Sequence, residues 1–187
     1  TNGPQVLANN QSIGSGETHI YTVQVWLTMN LTSVPSVGDG LYTDCANNLT
    51  PTPGNGKGLY NQSRLDIDDD GIWDEYKDDC GDIPDIHHNK SVNSISQNPN
   101  GSFTVIYDID VTNYGGAAGT YNLTDKSGFD NDIQILSVNY TSDVPSGGTL
   151  SNIVPPNGWV LGTNVSLNPG STHHYQITFN ISLDLDA

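Results

Sequence analysis

The chain is short of positive charge, of strong helix formers and of long apolar runs. Its 187 residues hold five Lys and Arg against 21 Asp and Glu, so the net charge is −16. Such a charge repels phosphate backbones and anionic lipid headgroups, and nucleic-acid binding is not expected. No stretch approaches the roughly 18 consecutive apolar residues of a membrane span, so membrane insertion is not expected either.

The scarcity of helix formers points to an almost entirely β structure. Glutamate occurs only at Glu17 and Glu75 and methionine only once, whereas Thr, Val, Ile and Tyr are plentiful. Short β-branched or alternating runs, separated by Gly, Pro and Asn clusters, favour a β-sandwich over a parallel α/β sheet. The predicted strands are Thr18–Met29, Gly58–Ile67, Ser102–Thr112, Gly119–Leu123, Asp132–Thr141, Gly158–Gly162 and Thr172–Leu183.

No residue pattern typical of an enzyme is present. The sequence has no G-x-S-x-G run and no isolated pair of glutamates in an apolar setting. The histidine pairs at 87–88 and 173–174 are adjacent, so both members of a pair cannot point to one face of a strand. No Cys or Glu stands beside them at the spacing of a metal site. We therefore expect structural histidines and no catalytic activity.

The sequence matches itself at an offset of 154 residues. When residues 5–29 are aligned with 159–183, eight of 25 positions are identical and the apolar alternation stays in register. The identical pairs are Val6/Val160, Leu7/Leu161, Asn10/Asn164, Ser12/Ser166, Gly16/Gly170, Thr18/Thr172, His19/His173 and Tyr21/Tyr175.

This match predicts tandem sandwich units. Two unrelated amphipathic strands would share alternation, but not a loop glycine and a Thr-His-x-Tyr run as well. A period near 154 is too long for a solenoid and fits whole domains in tandem. Residues 1–85 would then be the C-terminal part of one sandwich, and residues 86–187 the N-terminal part of the next.

An acidic loop resembles a calcium-binding loop. Asp66, Asp68, Asp70 and Asp74 occupy positions 1, 3, 5 and 9, Gly stands at position 6, and the carbonyl of Ile72 can join the shell. Position 12 is a lysine, which argues against an EF-hand and favours the shorter D-x-D-x-D-G-x-x-D loop of thrombospondin type 3 repeats. Completing ligands would come from Glu75, Asp78 or Asp79. The alternative is a solvated acidic run without an ion.

Cys45 and Cys80 are the only cysteines, and they flank this loop. A bridge between them would stabilise the fold by about 3 to 4 kcal/mol according to the loop-entropy model. The alternative is two free buried thiols in a reducing compartment, because neither cysteine has C-x-x-C spacing.

Ten N-x-S/T acceptor motifs occur, more than twice the roughly four that the composition would give by chance. They are spread evenly over both halves of the chain and favour a glycan coat, although an Asn-rich and Thr-rich β surface is the alternative. The acceptor residues are Asn10, Asn30, Asn48, Asn61, Asn89, Asn100, Asn122, Asn139, Asn164 and Asn180.

Two further segments resemble the immunoglobulin-like tandem modules of large prokaryotic surface adhesins and surface-layer-type proteins. The run 103–125 is similar to Y-x-V-x-V-T-N-x-G-x-A-x-x-Y-x-L-T-D, and residues 170–175 are similar to G-A-T-H-x-Y. Residues 45–84 resemble the closing part of the same module. The resemblance implies an immunoglobulin-like sandwich, with the calcium loop closed by the two cysteines as an insert.

Together these patterns predict an extracellular or cell-surface structural subunit. Copies would assemble head to tail into a glycosylated fibre, stalk or surface array that Ca²⁺ makes rigid. The alternative is a monomeric adhesin or carbohydrate-binding module, whose affinity would depend on a clustered face of exposed aromatic residues.

Overall fold

The computed structural model describes residues 5–27, 59–144 and 146–183. Among these, 5–27 and Gln62–Asp78 belong to one compact unit, and 59–61 and 79–183 to a second. Cys45, Asn30 and Asn48 lie outside the described residues.

The prediction of an all-β protein is confirmed, since every regular element in the described ranges is a strand and the sheets are antiparallel. Within these ranges no helix has the length and apolar character that a membrane crossing requires. The strands are β1 (Leu59–Leu65), β2 (Glu75–Gly81), β3 (Ile86–Gln97), β4 (Phe103–Asn113), β5 (Gly119–Asp125), β6 (Ile133–Ser142), β7 (Gly148–Leu150), β8 (Trp159–Leu167) and β9 (Thr172–Leu183).

Two sheets enclose the core of the second unit. A five-stranded sheet has the order β3-β4-β9-β6-β7, and a two-stranded sheet is formed by β5 and β8. Both sheets contribute to one buried cluster, because Leu123, Trp159, Leu161 and Leu167 of the small sheet pack with the side chains of β4, β6 and β9. Strands β1 and β2 form a separate two-stranded sheet among the described strands.

The alternation of buried and more exposed side chains explains why the central strands are stable. In β9 every second side chain is buried, from Tyr175 through Ile177 and Phe179 to Ile181. The rings of Phe129 and Trp159 lie with their centroids 5.1 Å and 5.7 Å from that of Phe179. Since β9 pairs with β4 on one side and β6 on the other, these side chains form the centre of the sandwich.

The side chain of Asn113 links the start of β3, the connection between β4 and β5, and the end of β8. Its side chain is fully buried. Its Oδ1 accepts hydrogen bonds from the backbone N–H groups of Asp85 (3.0 Å) and Gly115 (3.1 Å). Its Nδ2 donates to the carbonyls of Ala117 (2.8 Å) and Leu167 (3.1 Å). One amide therefore satisfies three buried backbone groups and one partly buried group.

Replacing this amide should destabilise the sandwich. We expect Asn113→Ala to lower the free energy of unfolding by roughly 2 to 3 kcal/mol, because buried backbone groups lose their partners. Denaturant unfolding measures the change. The control Asn93→Ala removes an exposed side chain that bonds Asp108, and its effect should be within about 0.5 kcal/mol; equal losses in both variants would contradict this account.

The predicted strands differ from the structure in two ways: one predicted strand is not observed in its described part, and three observed strands were not predicted. The strand predicted over Thr18–Met29 is wrong in its described part, since residues 18–27 have no ladder partner within the ranges that the structure describes. Strands β2 and β3 were not predicted, because their sequences are rich in polar residues on both faces. Strand β7, only three residues long, was not predicted either.

Candidate functional site

Three of the aspartates predicted to bind calcium lie together. Oxygens of Asp66, Asp68 and Asp74 are all within 4.8 Å of one another, which is close enough for one metal ion to contact all three. They belong to the connection between β1 and β2. The backbone N–H of Asp74 donates to the carbonyl of Leu65 (2.9 Å), which closes the loop at the end of β1.

The backbone of the loop is folded around Asp66. One carboxylate oxygen of Asp66 accepts from the N–H of Asp69 (2.8 Å), and the other accepts from the N–H of Gly71 (3.0 Å). Asp69 and Gly71 have positive φ angles of 60° and 82°. A glycine adopts this conformation without steric cost, so the sequence signal at position 6 has a structural reason.

Four of the predicted acidic ligands, Asp70, Glu75, Asp78 and Asp79, are not part of this group. Asp70 lies outside the three-residue cluster, and its Oδ1 accepts from the N–H of Ile72 at 2.7 Å. Lys77 and Glu75 form an exposed ion pair at 3.0 Å, so Glu75 is engaged with a cation on its own strand.

The chemistry of the cluster suits a hard cation. Three carboxylates supply oxygen ligands and a formal charge of −3, and Ca²⁺ takes six to eight oxygens at about 2.3 to 2.6 Å. Ten of the 21 acidic residues fall between Asp66 and Asp85, so a bound cation would relieve their mutual repulsion. The structure establishes a cluster that can hold a metal ion; calcium as its identity remains a hypothesis.

Only one of the two cysteines of the predicted disulfide lies within the described residues. Cys80 is half-buried in β2, and because Cys45 lies outside the described residues, their bridge stays a prediction.

Of the described acceptor asparagines, all are exposed except Asn180. Its amide bonds Ser137 and Thr104, so Asn180 is the least accessible of them.

A second feature is the segment 5–27, whose bends recur in residues 159–183, the segment that contains β8 and β9. Asn10 and Asn164, 154 residues apart, both have φ of 49°, and Gly16 and Gly170 have φ of 81° and 68°. The turn bond from Glu17 N–H to the Gly14 carbonyl (3.1 Å) also recurs, from Ser171 to Asn168 (3.2 Å). The internal match is therefore a match of backbone conformation as well as of sequence.

The apolar side chains of this segment are exposed, unlike their equivalents. Tyr21, Val23, Val25 and Leu27 are between 51% and 66% exposed, whereas the corresponding residues of β9 are between 0% and 7% exposed. Monomeric proteins rarely expose a contiguous apolar surface of this kind unless it is a site of interaction. The segment is therefore a candidate pairing surface.

The repeated Thr-His-x-Tyr run has a specific role in the sandwich. The hydroxyl of Tyr121 in β5 forms hydrogen bonds with Tyr175 Oη (2.7 Å) and His173 Nδ1 (2.8 Å) in β9. Burial, followed by the bond to Tyr175, raises the pKa of Tyr121. The rings of His19 and Tyr21 lie 6.5 Å apart, and among the described residues neither meets a third ring. Within the described ranges, neither His19 nor Tyr21 has a hydrogen-bonded tyrosine equivalent to Tyr121.

Sequence reasoning missed an acidic groove on the outer face of the large sheet. The groove, of about 550 Å³, is lined by Asp108, Asp110, Asp143 and His174, among others. His174 Nδ1 lies 2.7 Å from Asp110, and that hydrogen bond raises the pKa of His174. The side-chain bonds of Asn93 and Gln176 lower the pKa of Asp108. The alternation of Asp108 and Asp110 in a predicted strand was the available signal.

The His174–Asp110 pair predicts a pH dependence. Because the pKa is raised in the folded state, the pair stabilises the fold fully below the unfolded pKa of histidine, about 6.5. This stabilisation is lost as the pH rises through the folded pKa. NMR titration should show the His174 pKa falling in Asp110→Asn and staying the same in Asp130→Asn; equal values in all three chains would contradict this.

Comparison with known proteins does not identify a relative. No family model, no curated protein and no solved structure matches the chain. The resemblance to immunoglobulin-like surface modules therefore remains a hypothesis based on the motifs.

Proposed function

We propose that the protein is an extracellular structural subunit of a fibre, stalk or surface array, in which neighbouring units contact head to tail through residues 5–27. The observation that carries the proposal is the exposed apolar side of this segment, together with the bends that it shares with the β8–β9 segment. Its acceptor would be a sandwich of the immunoglobulin-like kind. The contact can arise by covalent continuation in a longer chain or by strand addition between copies.

The side chains of the segment support a sandwich as the partner. His19 and Tyr21 correspond to His173 and Tyr175, which form hydrogen bonds with Tyr121 of the opposite sheet. A partner surface without such a tyrosine would give His19 and Tyr21 no equivalent hydrogen bond. A contact between two different surfaces of the molecule does not close on itself and propagates into a filament when the rotation permits. A cation at Asp66, Asp68 and Asp74, a Cys45–Cys80 bridge and surface glycans would all suit an extracellular fibre, and no catalytic step is proposed.

The sandwich of residues 86–144 and 146–183 offers little support for a monomeric carbohydrate-binding module, whereas outside it Tyr21, Trp26, Trp73 and Tyr76 are 50% to 82% exposed. Such a module presents several aromatic rings on one face. In residues 86–144 and 146–183, Tyr114 is the only aromatic residue among the large exposed hydrophobic side chains. The other rings, including Tyr107, Phe129 and Trp159, pack against or within the core.

Deletion of residues 1–33 tests the proposal. We expect the full chain to sediment as elongated species and to form filaments in negative-stain images. The deletion variant should sediment as a monomer with its β-sheet circular dichroism unchanged, because strands β3 to β9 remain. A dispersed monomer in both cases would show that the segment needs no partner and would overturn the proposal.

A further inference from the structure

We infer that residues 18–27 of a second copy lie in a groove on the inner side of β3, beside the smaller sheet of the sandwich. This inference rests on the proposed function, because it names the acceptor surface of the head-to-tail contact. The acceptor, the β3 groove, is formed by Val92 and Ile95 of β3, Tyr107 of β4 and residues 126–129.

Strand β3 carries exposed apolar side chains on its inner side. Val92 and Ile95 lie opposite Tyr107 and Val105 of β4, which pack against the core or belong to it. Directly opposite residues of an antiparallel pair point to the same face, so Val92 and Ile95 point to the inner side of the sandwich. Nevertheless, they are 54% and 64% exposed. The sandwich is therefore open along this part of β3.

The opening has its cause in the unequal size of the two sheets. Among the described strands, five face only β5 and β8. Trp159 of β8 packs against Phe179, so β8 lies over the centre of the large sheet. Asp125 of β5 contacts Lys90, so β5 lies on the side of β3. Within the described residues β5 has a ladder partner on one edge only, and a strand added at its other edge would cover β3.

Residues 18–27 have the properties of the missing strand. The side chains of Tyr21, Val23, Val25 and Leu27 form an exposed apolar side, and their equivalents in β9 fill the core of a sandwich. These residues have no ladder partner within the described ranges. Addition beside β5 would therefore give this segment both a partner for its backbone and a cover for its apolar side.

The charge distribution also favours this contact between copies. A chain with a net charge of −16 repels a second copy over most of its surface. Strand β3 has no acidic residue and carries Lys90, and Lys126 lies at the same cavity. Residues 5–27 contain only one charged side chain apart from His19, and it is the acidic Glu17. The two surfaces can therefore meet without repulsion between carboxylates.

The β3 groove also supplies a tyrosine with a free hydroxyl. Tyr107 lines a cavity of about 200 Å³. Lys90 Nζ lies 4.7 Å from the centroid of its ring, but its hydroxyl has no hydrogen bond within the described part of the chain. Tyr107 of the acceptor can therefore take the position toward His19 and Tyr21 that Tyr121 has toward their equivalents in β9.

Cross-linking between two differently labelled copies tests the inference. A full chain with Val92→Cys is mixed with a full chain with Val23→Cys, and a bismaleimide with a spacer of about 10 Å, the distance between packed sheets, is added. Val92 lies opposite Tyr107, and Val23 is two residues from Tyr21, so we expect a mixed dimer linked at these positions.

An exposed valine on the other side of the large sheet provides the control. Val144→Cys, in the connection between β6 and β7, replaces Val92→Cys and should give only the background of the parent chain. A link that forms only when both cysteines are in one chain would show that the segment folds back on its own sandwich, and would overturn the inference.

Removal of single hydroxyls tests the role of Tyr107. Tyr107→Phe should raise the protein concentration that gives half-maximal linking about fivefold, the equivalent of roughly 1 kcal/mol, because one hydrogen bond between copies is lost. Tyr140→Phe removes a hydroxyl that bonds the carbonyl of Ser146 at 3.4 Å and should leave this concentration unchanged. Denaturant unfolding should give the same sandwich stability for Tyr107→Phe as for the parent chain. An equal response of the two variants would overturn the inference.

The outcomes separate this inference from the proposed function. Filaments without the Val92–Val23 link, or with equal linking at Val144, would overturn the β3 groove as acceptor and leave the fibre proposal standing. A chain that stays monomeric and shows no link at any concentration would overturn both.

Discussion

Val25→Asp should abolish head-to-tail assembly, whereas Gln24→Asp should leave it intact. The two substitutions add the same charge at neighbouring positions of segment 5–27. Val25 corresponds to Phe179, which is 1% exposed in the core of the sandwich, while Gln24 corresponds to Thr178 on the other side of the strand. A carboxylate at the first position would have to be buried unpaired on docking, which costs several kcal/mol.

Sedimentation velocity and negative-stain microscopy measure this difference. Circular dichroism provides the check on folding, and neither variant should change it, because both residues are exposed in the single chain. Loss of assembly in both variants would indicate a general effect of charge. Assembly in both would show that the apolar side of the segment is not the contact surface.

Chelation should loosen the region between β1 and β2 selectively. If Ca²⁺ is present at about 100 to 1,000 times its dissociation constant, its removal costs about 3 to 4 kcal/mol of folding free energy in the part that binds it. We expect a lower melting temperature and faster proteolytic cleavage within residues 59–81, since three carboxylates are left close together without an ion.

Two aspartate variants provide the matched comparison. Asp68→Asn removes a ligand and should weaken the response to calcium, while Asp69→Asn changes a loop residue outside the cluster and should preserve it. Asparagine tolerates the positive φ at this position, so the control does not strain the loop. An unchanged melting curve in excess chelator, with no metal by elemental analysis, would contradict the calcium hypothesis.

The strands that could be predicted from the sequence are those buried on one face. β4 and β9 alternate apolar and polar residues, and their predicted bounds agree with the structure to within one residue. β3 has the sequence IHHNKSVNSISQ and is largely exposed on both faces, so it lacks the alternation that marks a strand. Its position comes from pairing with β4, which a single sequence does not reveal.

In the candidate site, contacts between residues close in sequence could be predicted, whereas contacts between distant residues could not. Loop spacing was sufficient to predict that Asp66, Asp68 and Asp74 come together, because all the ligands lie within nine residues. The partner of His173 and Tyr175 lies more than 50 residues away in β5. A contact of that sequence separation depends on the tertiary fold, and so the purpose of the repeated His-x-Tyr run became visible only in the structure.

The backbone of segment 5–27 also bears on how tightly it can bind. Asn10, Gly16 and the Glu17–Gly14 turn hold the bends of the β8–β9 segment, although residues 5–27 form no strand within the part of the chain that the structure describes. A binding element that already has its bound shape loses less conformational entropy on association than a disordered tail does. We therefore expect the segment to act as a preorganised binding element. Its affinity should depend on keeping those bends as much as on its apolar side chains.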